Sequence, residues 1–273
     1  MAGIVIPVDK PKGWTSFQVV NKLKWDLRRA YNLKKIKIGH AGTLDPMASG
    51  LLLVCVGSAT KSIERLQAGI KEYTGTMVLG ATTPCFDMEQ GIDRYYPTGQ
   101  LDREKIVATS KSFVGEQEQV PPIYSAVKVD GKRAYFSARE GNEVEITAKR
   151  ITIYQFEIEA YREGKADDPL PPIVMPEATD KPRKELYRNP EGFVPEALPQ
   201  IDFRVTCSKG TYIRSLARDM GMALDSGAFL CDLRRTRIGD YSIEKAMTVE
   251  QLEEMISEHH PFFASMDSEN KTI

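Results

Sequence analysis

The sequence predicts an α+β fold, a mixed sheet with helices packed against it. Strand-like segments and amphipathic helices are interleaved along the 273 residues, but without the regular strand–helix–strand rhythm of a parallel sheet. Apolar residues make up 41% of the chain, which is ordinary for a packed core. The length suits one large domain, or one domain with a small appendage.

The first predicted helix follows a turn-rich segment from Asp9 to Gly13. Thr15 and Gln18 have the spacing of a capping box, and an apolar stripe at helical spacing follows them. The stripe consists of Phe17, Val20, Leu23, Leu27 and Tyr31. We therefore expect a helix that packs this stripe on the core. Basic residues off the stripe and in the following loop are Lys22, Lys24, Arg28, Arg29, Lys34, Lys35 and Lys37.

The later elements are predicted by alternation and by further capping signals. The residues from Ile201 to Cys207 alternate as in a half-buried strand, and a helical apolar stripe follows Thr211. Thr248 and Gln251 form a second capping box at the start of a helix that ends near Ser257. Two other strand-like runs cover Gly75 to Leu79 and Arg150 to Ile158.

One segment differs from the rest of the chain. From Glu163 to Pro199 it holds eight of the sixteen prolines, many charges and almost no periodicity. We interpret it as a long loop or insertion, of the kind that is usually functional or disordered.

The net charge of −1 is distributed unevenly. Residues 1–75 carry twelve Lys or Arg against five Asp or Glu, and residues 203–237 carry seven against three. These two regions are compatible with a basic face for nucleic acid, while solvated surface charge is the ordinary alternative.

The chain has no sequence signal for secretion, a membrane span or a metal site. The longest apolar run, Leu51 to Val56, is far too short for a membrane, and the N-terminus lacks the pattern of a signal peptide. The four cysteines are widely spaced, so we expect reduced packing residues and a cytoplasmic protein. They are Cys55, Cys85, Cys207 and Cys231.

The most informative segment runs from Gly39 to Leu52 and contains a single carboxylate, Asp45. Gly42 permits a tight turn or the close approach of a ligand, and Pro46 disfavours the helical region for the residue before it. Asp45 is therefore expected on a stiff loop. An Asx-turn or a helix cap is the ordinary alternative for an aspartate in this setting.

This segment resembles the active-site motif Gly-His-x-Gly-x-Leu-Asp-Pro-x-Ala-x-Gly of the TruB-type pseudouridine synthases. Five further segments match the family in its order, and together they make a chance resemblance very improbable. They are Asp9 to Ser16, Lys71 to Gly80, Pro121 to Lys128 and Cys207 to Arg214, with Leu233 to Thr236 completing the series.

The resemblance implies the pseudouridine synthase fold, a mixed and mostly antiparallel sheet flanked by helices in a single catalytic domain. It also implies isomerisation of uridine to pseudouridine at position 55, in the T-arm loop of tRNA. By similarity Asp45 is the nucleophile, and whether it attacks C1′ or C6 or supports a glycal route stays open. Because the reaction moves no net electrons, no cofactor is expected.

The family's motifs assign further residues. Arg214 matches the arginine that keeps the nucleophile ionised, with a surface ion pair as its alternative. Tyr73 matches the active-site tyrosine, and His40 is the candidate wedge that replaces the flipped base. Tyr212 and Leu233 correspond to substrate-pocket positions, although both types are commonly core residues. Lys10, Lys61, Lys209, Arg234 and Arg235 are candidate phosphate contacts.

We expect a catalytic domain over residues 1–245, with the insertion at 163–199, and a helix and polar tail over 246–273. The expected protein is a short form without the C-terminal PUA domain, a monomer that binds the T-arm stem-loop and no membrane. Basic residues of the insertion, Lys181, Arg183, Lys184 and Arg188, supply an extra RNA contact unless the segment is disordered. Two other functions stay open, an RNA-binding or tRNA-folding protein and a synthase for a different RNA uridine.

Overall fold

A computed structural model describes residues 3–122, 128–129, 132–133, 146–164 and 198–263, with backbone alone at 128–129 and 132–133. Predictions that fall on Tyr124 to Val127, on most of the 163–199 insertion and on the tail after residue 263 lie outside these residues. The chain divides into two compact units, Met1–Tyr73 with Arg234–Ile273, and Thr74–Leu233.

The secondary structure confirms the predicted α+β class. The helices are α1 (Ser16–Ala30), α2 (Ile63–Ala68), α3 (Arg103–Ser112), α4 (Ile213–Ala223) and α5 (Val249–Ser257), with 3-10 helices at Gly57–Ser62 and Ile243–Lys245. The first strands are β1 (Ile4–Lys10), β2 (Ile38–Ala41), β3 (Ser49–Val56), β4 (Lys71–Leu79), β5 (Ala81–Thr82), β6 (Arg94–Tyr95) and β7 (Gly115–Gln119). The remaining strands are β8 (Lys128–Val129), β9 (Lys132–Arg133), β10 (Lys149–Arg162), β11 (Gln200–Cys207), β12 (Ala228–Ile238), β13 (Tyr241–Ser242) and β14 (Met247–Thr248).

In the first unit, the almost entirely buried strand β3 organises the sheet. It pairs antiparallel with β1 on one side, from Ile4 opposite Val56 to Lys10 opposite Gly50. It also pairs antiparallel with β2 and parallel with the end of β12, while β14 extends the sheet beyond β1. Helices α1 and α5 pack against each other over the main apolar cluster of this unit.

Helix α1 begins as predicted, because both hydrogen bonds of the Thr15–Gln18 capping box are present. The prediction for Phe17 was wrong, since this side chain is 68% exposed. Val19 is buried in the core instead. Ser16, the residue before Phe17, is buried and bonded to a distant loop, while the other four residues of the predicted stripe are buried as expected.

The second unit is built on a sheet with the order β12-β4-β11-β10-β7. Strands β10 and β11 are antiparallel, and so are β10 and β7. Alternate residues of β11 point into the core, where Phe203 meets Phe156 edge to face at a ring distance of 5.9 Å. The strands predicted at 75–79, 150–158 and 201–207 and the helix predicted after Thr211 are all present. No helix among the described residues is long and apolar enough to span a membrane.

Candidate active site

The loop that carries Asp45 joins β2 to β3 and consists of residues 42–48; we call it the Asp45 loop. It begins at Gly42, whose φ of +95° favours glycine. Asp45 then opens a β-turn with Pro46 in the second position, and its carbonyl accepts a hydrogen bond from the Ala48 amide at 3.1 Å. The stiff loop expected from the sequence is thus a tight turn that starts at the aspartate itself.

Two contacts hold this loop, one from Ser16 at the start of α1 and one from Gly13 in the turn before the helix. The buried Ser16 hydroxyl accepts a hydrogen bond from the Leu44 amide at 2.9 Å and donates one to the Leu44 carbonyl at 3.1 Å. The Gly13 amide donates to the Pro46 carbonyl at 2.7 Å. Both neighbours of Asp45 along the chain are therefore anchored through their backbone.

Arg235 is the central residue of the site in this unit. Its side chain is 1% exposed, and its guanidinium donates to three backbone carbonyls. Nε bonds Leu51 at 2.8 Å, and Nη2 and Nη1 bond Gly42 and Thr43 of the Asp45 loop at 3.0 and 3.4 Å. The guanidinium carbon also lies 6.0 Å from the centre of the Tyr73 ring. Arg235 thus links the loop of the predicted nucleophile to the predicted active-site tyrosine.

The approach of β12 to β3 that positions Arg235 requires a glycine. Gly50 pairs with Arg235 across the parallel strands and has a φ of +100°. A Cβ atom at this position would lie 2.4 Å from the Arg235 carbonyl oxygen. A larger residue would therefore push the two strands apart and move the guanidinium away from the Asp45 loop.

Lys10 is fully buried beside this group, and its ammonium donates to the carbonyls of Pro11 at 2.9 Å and Trp14 at 2.6 Å. Burial lowers the pKa of Lys10 to about 8, with Arg235 acting in the same direction. The carboxylates of Asp45 and Asp9 act in the opposite direction and favour the ammonium form. The site thus contains two buried cations, Lys10 and Arg235, close to the Asp45 loop.

His40 lies on β2, two residues before Gly42, and is partly buried. Burial lowers its pKa, as does the charge of Arg235, while a hydrogen bond with the Gly42 backbone acts against both. Nδ1 of the ring is buried and has no hydrogen-bond partner among the described residues. A neutral, flat imidazole is therefore favoured, which is the form suited to stacking on bases.

Three of the five predicted phosphate contacts do not fit that role. Lys10 and Arg235 are buried and bonded to backbone carbonyls, so neither presents its charge at the surface. Arg234 is held by Asp9 through both of its terminal nitrogens, at 3.0 and 2.7 Å. Lys61 and Lys209 are exposed and remain candidates. All five were expected to contact phosphates because RNA affinity rests largely on such contacts.

In the second unit, Arg214 lies on the first turn of α4 and is buried. Its Nε is 3.5 Å from Oδ2 of Asp87, and Nη1 donates to the Cys85 carbonyl at 3.4 Å. Asp87 is completely buried and also accepts hydrogen bonds from the Cys85 thiol at 2.8 Å and the Glu89 amide at 2.9 Å. Desolvation, together with the charge of Asp87, raises the pKa of the Cys85 thiol.

Asp87 was missed in the sequence analysis. Its segment has the turn-forming pair Thr83-Pro84, which predicts a surface loop rather than a buried carboxylate. The available signal was that Asp87 is the single acidic residue in an otherwise uncharged stretch from residue 80 to 88. A role for Arg214 beside Asp45 stays a prediction.

The predicted pocket residues Tyr212 and Leu233 also lie in this unit. Tyr212 is the N-cap of α4, and the Gln119 side chain holds its backbone by accepting from its amide at 2.8 Å and donating to its carbonyl at 3.1 Å. Leu233 is buried on β12. Among the described residues, no group of three or more His, Cys, Asp or Glu side chains is arranged to hold a metal ion.

Comparison with known proteins identifies the family. The model of the TruB family pseudouridylate synthase N-terminal domain matches residues 28–168, and that of the tRNA pseudouridylate synthase B C-terminal domain matches residues 214–265. A tRNA pseudouridine synthase B from Flavobacterium johnsoniae is 47% identical over 94% of this chain and 97% of its own length. A protein of the same name from Thermobifida fusca is 40% identical over 92% of this chain and 75% of its own length.

A solved structure shares the fold. The matching chain in the crystal structure of a Cbf5–Nop10–Gar1 complex superposes with a TM-score of 0.58 at 29% identity, over 97% of this chain. The present chain spans only 56% of that longer one. From the family models, the identity to curated relatives and the shared fold, we conclude that the chain belongs to the TruB family of pseudouridylate synthases.

Proposed function

We propose that this protein isomerises uridine to pseudouridine in tRNA, at position 55 of the T-arm loop, with Asp45 as the nucleophile. The observation that carries the proposal is the geometry of the Asp45 loop, in which Arg235 donates hydrogen bonds to the carbonyls of Gly42 and Thr43. This arrangement presents one carboxylate on a rigid turn beside two buried cations. The chain is also 47% identical to a protein named tRNA pseudouridine synthase B.

The reaction breaks the N1–C1′ glycosidic bond of uridine and forms a C5–C1′ bond after the ring has turned. The proton leaves C5, N1 gains one, and the electron count does not change. A carboxylate is suited to this chemistry because it can capture an electron-poor carbon and release it again, as in glycoside hydrolysis. In the C1′ route Asp45 would hold the sugar while the uracil turns, and in the C6 route it would hold the base.

The remaining site residues have supporting roles in this proposal. The target base must leave the RNA stack to reach Asp45, and the neutral His40 ring would fill its place. Tyr73, which is 8% exposed, would pack on the flipped uracil. Tyr212 and Leu233 would complete the pocket, and Arg214 would support the ionised nucleophile. Lys61 and Lys209 would contact phosphates.

A second candidate function is isomerisation of a uridine in an RNA other than tRNA. It is favoured by one observation, because another solved structure similar to this chain, at 26% identity and a TM-score of 0.56, is an H/ACA RNP bound to a substrate RNA. The identity to the tRNA synthase relatives is much higher, at 43–47% over at least 93% of the chain, and supports tRNA as the substrate.

Site-resolved mapping of pseudouridine separates these candidates. We expect cells that lack the protein to lose the modification at position 55 of their tRNAs, and the purified protein to restore it on unmodified transcripts. Restoration at another uridine would support the proposed reaction but show that the target is not position 55. Intact modification in the deleted cells, combined with no activity in vitro, would contradict the proposed function.

A further inference from the structure

A concave pocket of about 700 Å³ in the first unit is lined by an unusual concentration of positive charge. Its cationic side chains are Lys24, Arg28, Lys34, Lys35, Lys37 and Lys61; we call it the basic pocket. The other lining residues are Ile36, Gly57, Ser58 and Thr60, so no acidic residue lines it within the described parts of the chain. Proteins usually intersperse charges of both signs on their surface, and a cavity with one sign concentrates its field.

The fold holds these charges together by specific contacts. Lys24 and Arg28 lie one turn apart on α1, and the helix ends where Asn32 adopts a φ of 49°. The chain then turns back, with the Leu33 amide bonded to the Arg28 carbonyl at 3.0 Å and Arg28 Nε bonded to the Leu33 carbonyl at 3.3 Å. The buried side chains of Leu33 and Ile36 anchor this segment in the core. Its lysines therefore face outward.

A further hydrogen bond attaches the 3-10 helix that carries Lys61. The Lys37 carbonyl accepts from the Gly57 amide at 2.8 Å, at the start of that helix. Charges from three parts of the chain are thus fixed around one cavity by backbone contacts. They are not brought together by flexible side chains alone.

The six cations have no carboxylate partner within 4.0 Å among the residues that the structure describes. Lys22, on another face of the same helix, provides a contrast because it pairs with both Asp26 and Glu253. Six like charges around one cavity repel each other, and an anionic ligand would relieve that repulsion. The exposed hydroxyl group of Ser58 suits the oxygen atoms of such a ligand.

We propose that the basic pocket binds phosphodiester groups of the substrate RNA that lie outside the nucleotide being isomerised. This inference rests on the proposed function. The pocket and the Asp45 loop lie at opposite ends of β2, whose four residues span roughly 13 Å at about 3.3 Å per residue. Among the residues that the structure describes, no aromatic side chain lines the pocket, so these residues offer no platform for a base. It would position the RNA through its backbone without reading sequence.

Three exposed lysines within four positions of the chain allow a direct test. The pocket variant replaces Lys34, Lys35 and Lys37 with Gln. The control variant replaces Lys111, Lys149 and Lys245 with Gln; these lysines are also exposed and do not line the pocket. Both variants lose three charges, so their comparison removes the effect of net charge. Dissociation constants for an unmodified tRNA transcript are measured by filter binding between about 50 and about 300 mM KCl, together with single-turnover rates at saturating enzyme.

We expect the pocket variant to bind tRNA at least about tenfold more weakly at low salt than the control variant. Its plot of log affinity against log salt should be less steep by about 0.7–0.9 for each lost phosphate contact. The loss should appear in the dissociation constant and not in the saturated rate. Circular dichroism of both variants tests whether they are folded, and a misfolded pocket variant is replaced by the single variants of the same three lysines.

The outcomes separate this proposal from the proposed function. Equal affinity and equal salt dependence in the two variants would overturn the pocket proposal, while isomerisation by the wild type would still support the function. A wild type that binds tRNA through the pocket without modifying it would overturn the function and support the pocket. In a third outcome, the wild type binds phosphatidylserine vesicles, the pocket variant does not, and both bind tRNA equally well. The ligand of the pocket would then be an anionic membrane surface and not RNA.

Discussion

The Arg235 guanidinium lies 6.0 Å from the Tyr73 ring while two of its nitrogens hold the carbonyls of Gly42 and Thr43. One buried side chain therefore sets the position of the Asp45 loop relative to the tyrosine. Its fork geometry is essential, because three carbonyls in different directions must be bonded at once. We interpret Arg235 as a positioning residue for the predicted nucleophile.

Replacing Arg235 with Lys keeps the charge but supplies only one nitrogen. We expect the single-turnover rate of isomerisation to fall by roughly tenfold or more, because the Asp45 loop loses part of its support, while tRNA affinity changes little. Arg237→Lys is the matched control, since Arg237 lies two residues further along β12 and is exposed. Parallel losses of rate and affinity in the Arg235 variant would argue for an RNA contact instead.

Asp45→Asn removes the charge at nearly constant shape. If Asp45 is the nucleophile, isomerisation should fall by roughly a thousandfold or more, since an amide cannot form and release the covalent bond. Binding of tRNA should persist, because the loop is held by contacts of its neighbours and not by the carboxylate alone. Turnover is measured by mass spectrometry of digested tRNA, and activity close to the wild type would exclude the assignment.

Local signals in the sequence predicted the helices well. The capping boxes at Thr15 and Thr248 are both formed, because each needs only residues three apart in the chain. The misplacement of Phe17 has a long-range cause. Ser16, next to Phe17 in the chain, is buried and bonded to Leu44, 28 positions away, and such a contact has no signal in local spacing.

The candidate site was predicted in part. The Gly–Asp–Pro pattern around Asp45 indicated a rigid loop, which local backbone preferences are sufficient to predict. The burial of Lys10 and Arg235 was not foreseen, because their partners are backbone carbonyls, which have no side-chain signature in a sequence. Asp87 was missed for a related reason, since its partner Arg214 is 127 positions away along the chain.

The pair of Arg214 and Asp87 is expected to act as one unit. Their side chains are 7% and 0% exposed, so removing either charge takes the ion-pair partner from a buried opposite charge. We expect Asp87→Asn to lower the free energy of unfolding by about 3–5 kcal/mol. Arg214→Lys should lower the isomerisation rate more than the affinity, because the charge remains and the fork is lost.

A double-mutant cycle over Arg214→Lys and Asp87→Asn tests this coupling. The effects on the rate should be non-additive by about 0.5–3 kcal/mol, as found for residues in direct contact. Additive effects would mean that Arg214 acts independently of Asp87. Glu89→Gln serves as a control for the loop, because Asp87 bonds the Glu89 backbone and not its side chain.

Ser16→Ala tests how far the Asp45 loop depends on its anchor. The change leaves the amide and the carbonyl of Leu44 without their buried partner, which costs on the order of 1–3 kcal/mol. We expect a lower free energy of unfolding in urea and a reduced isomerisation rate. Ser112→Ala, whose hydroxyl is exposed on α3, should change stability by less than about 0.5 kcal/mol. An unchanged rate in the Ser16 variant would show that the loop is held adequately by its other contacts.

Lys10 should make the stability of the protein depend on pH above about 8. Its pKa falls from 10.5 to about 8 on folding, mainly through burial. Between these two values the unfolded chain binds a proton that the folded protein does not. The free energy of unfolding should therefore rise with pH in this window, by on the order of 1 kcal/mol.

Urea unfolding of the wild type and of Lys10→Met at about pH 7.5 and about pH 9.5 measures this contribution. Other groups titrate in the same range, so the quantity of interest is the difference between the two proteins. The rise should be smaller in Lys10→Met, because methionine fills a similar volume and binds no proton. Lys245→Met, which removes an exposed lysine of the same unit, should retain the full rise. If all three proteins gain stability equally between the two pH values, the buried ammonium of Lys10 is not the titrating group.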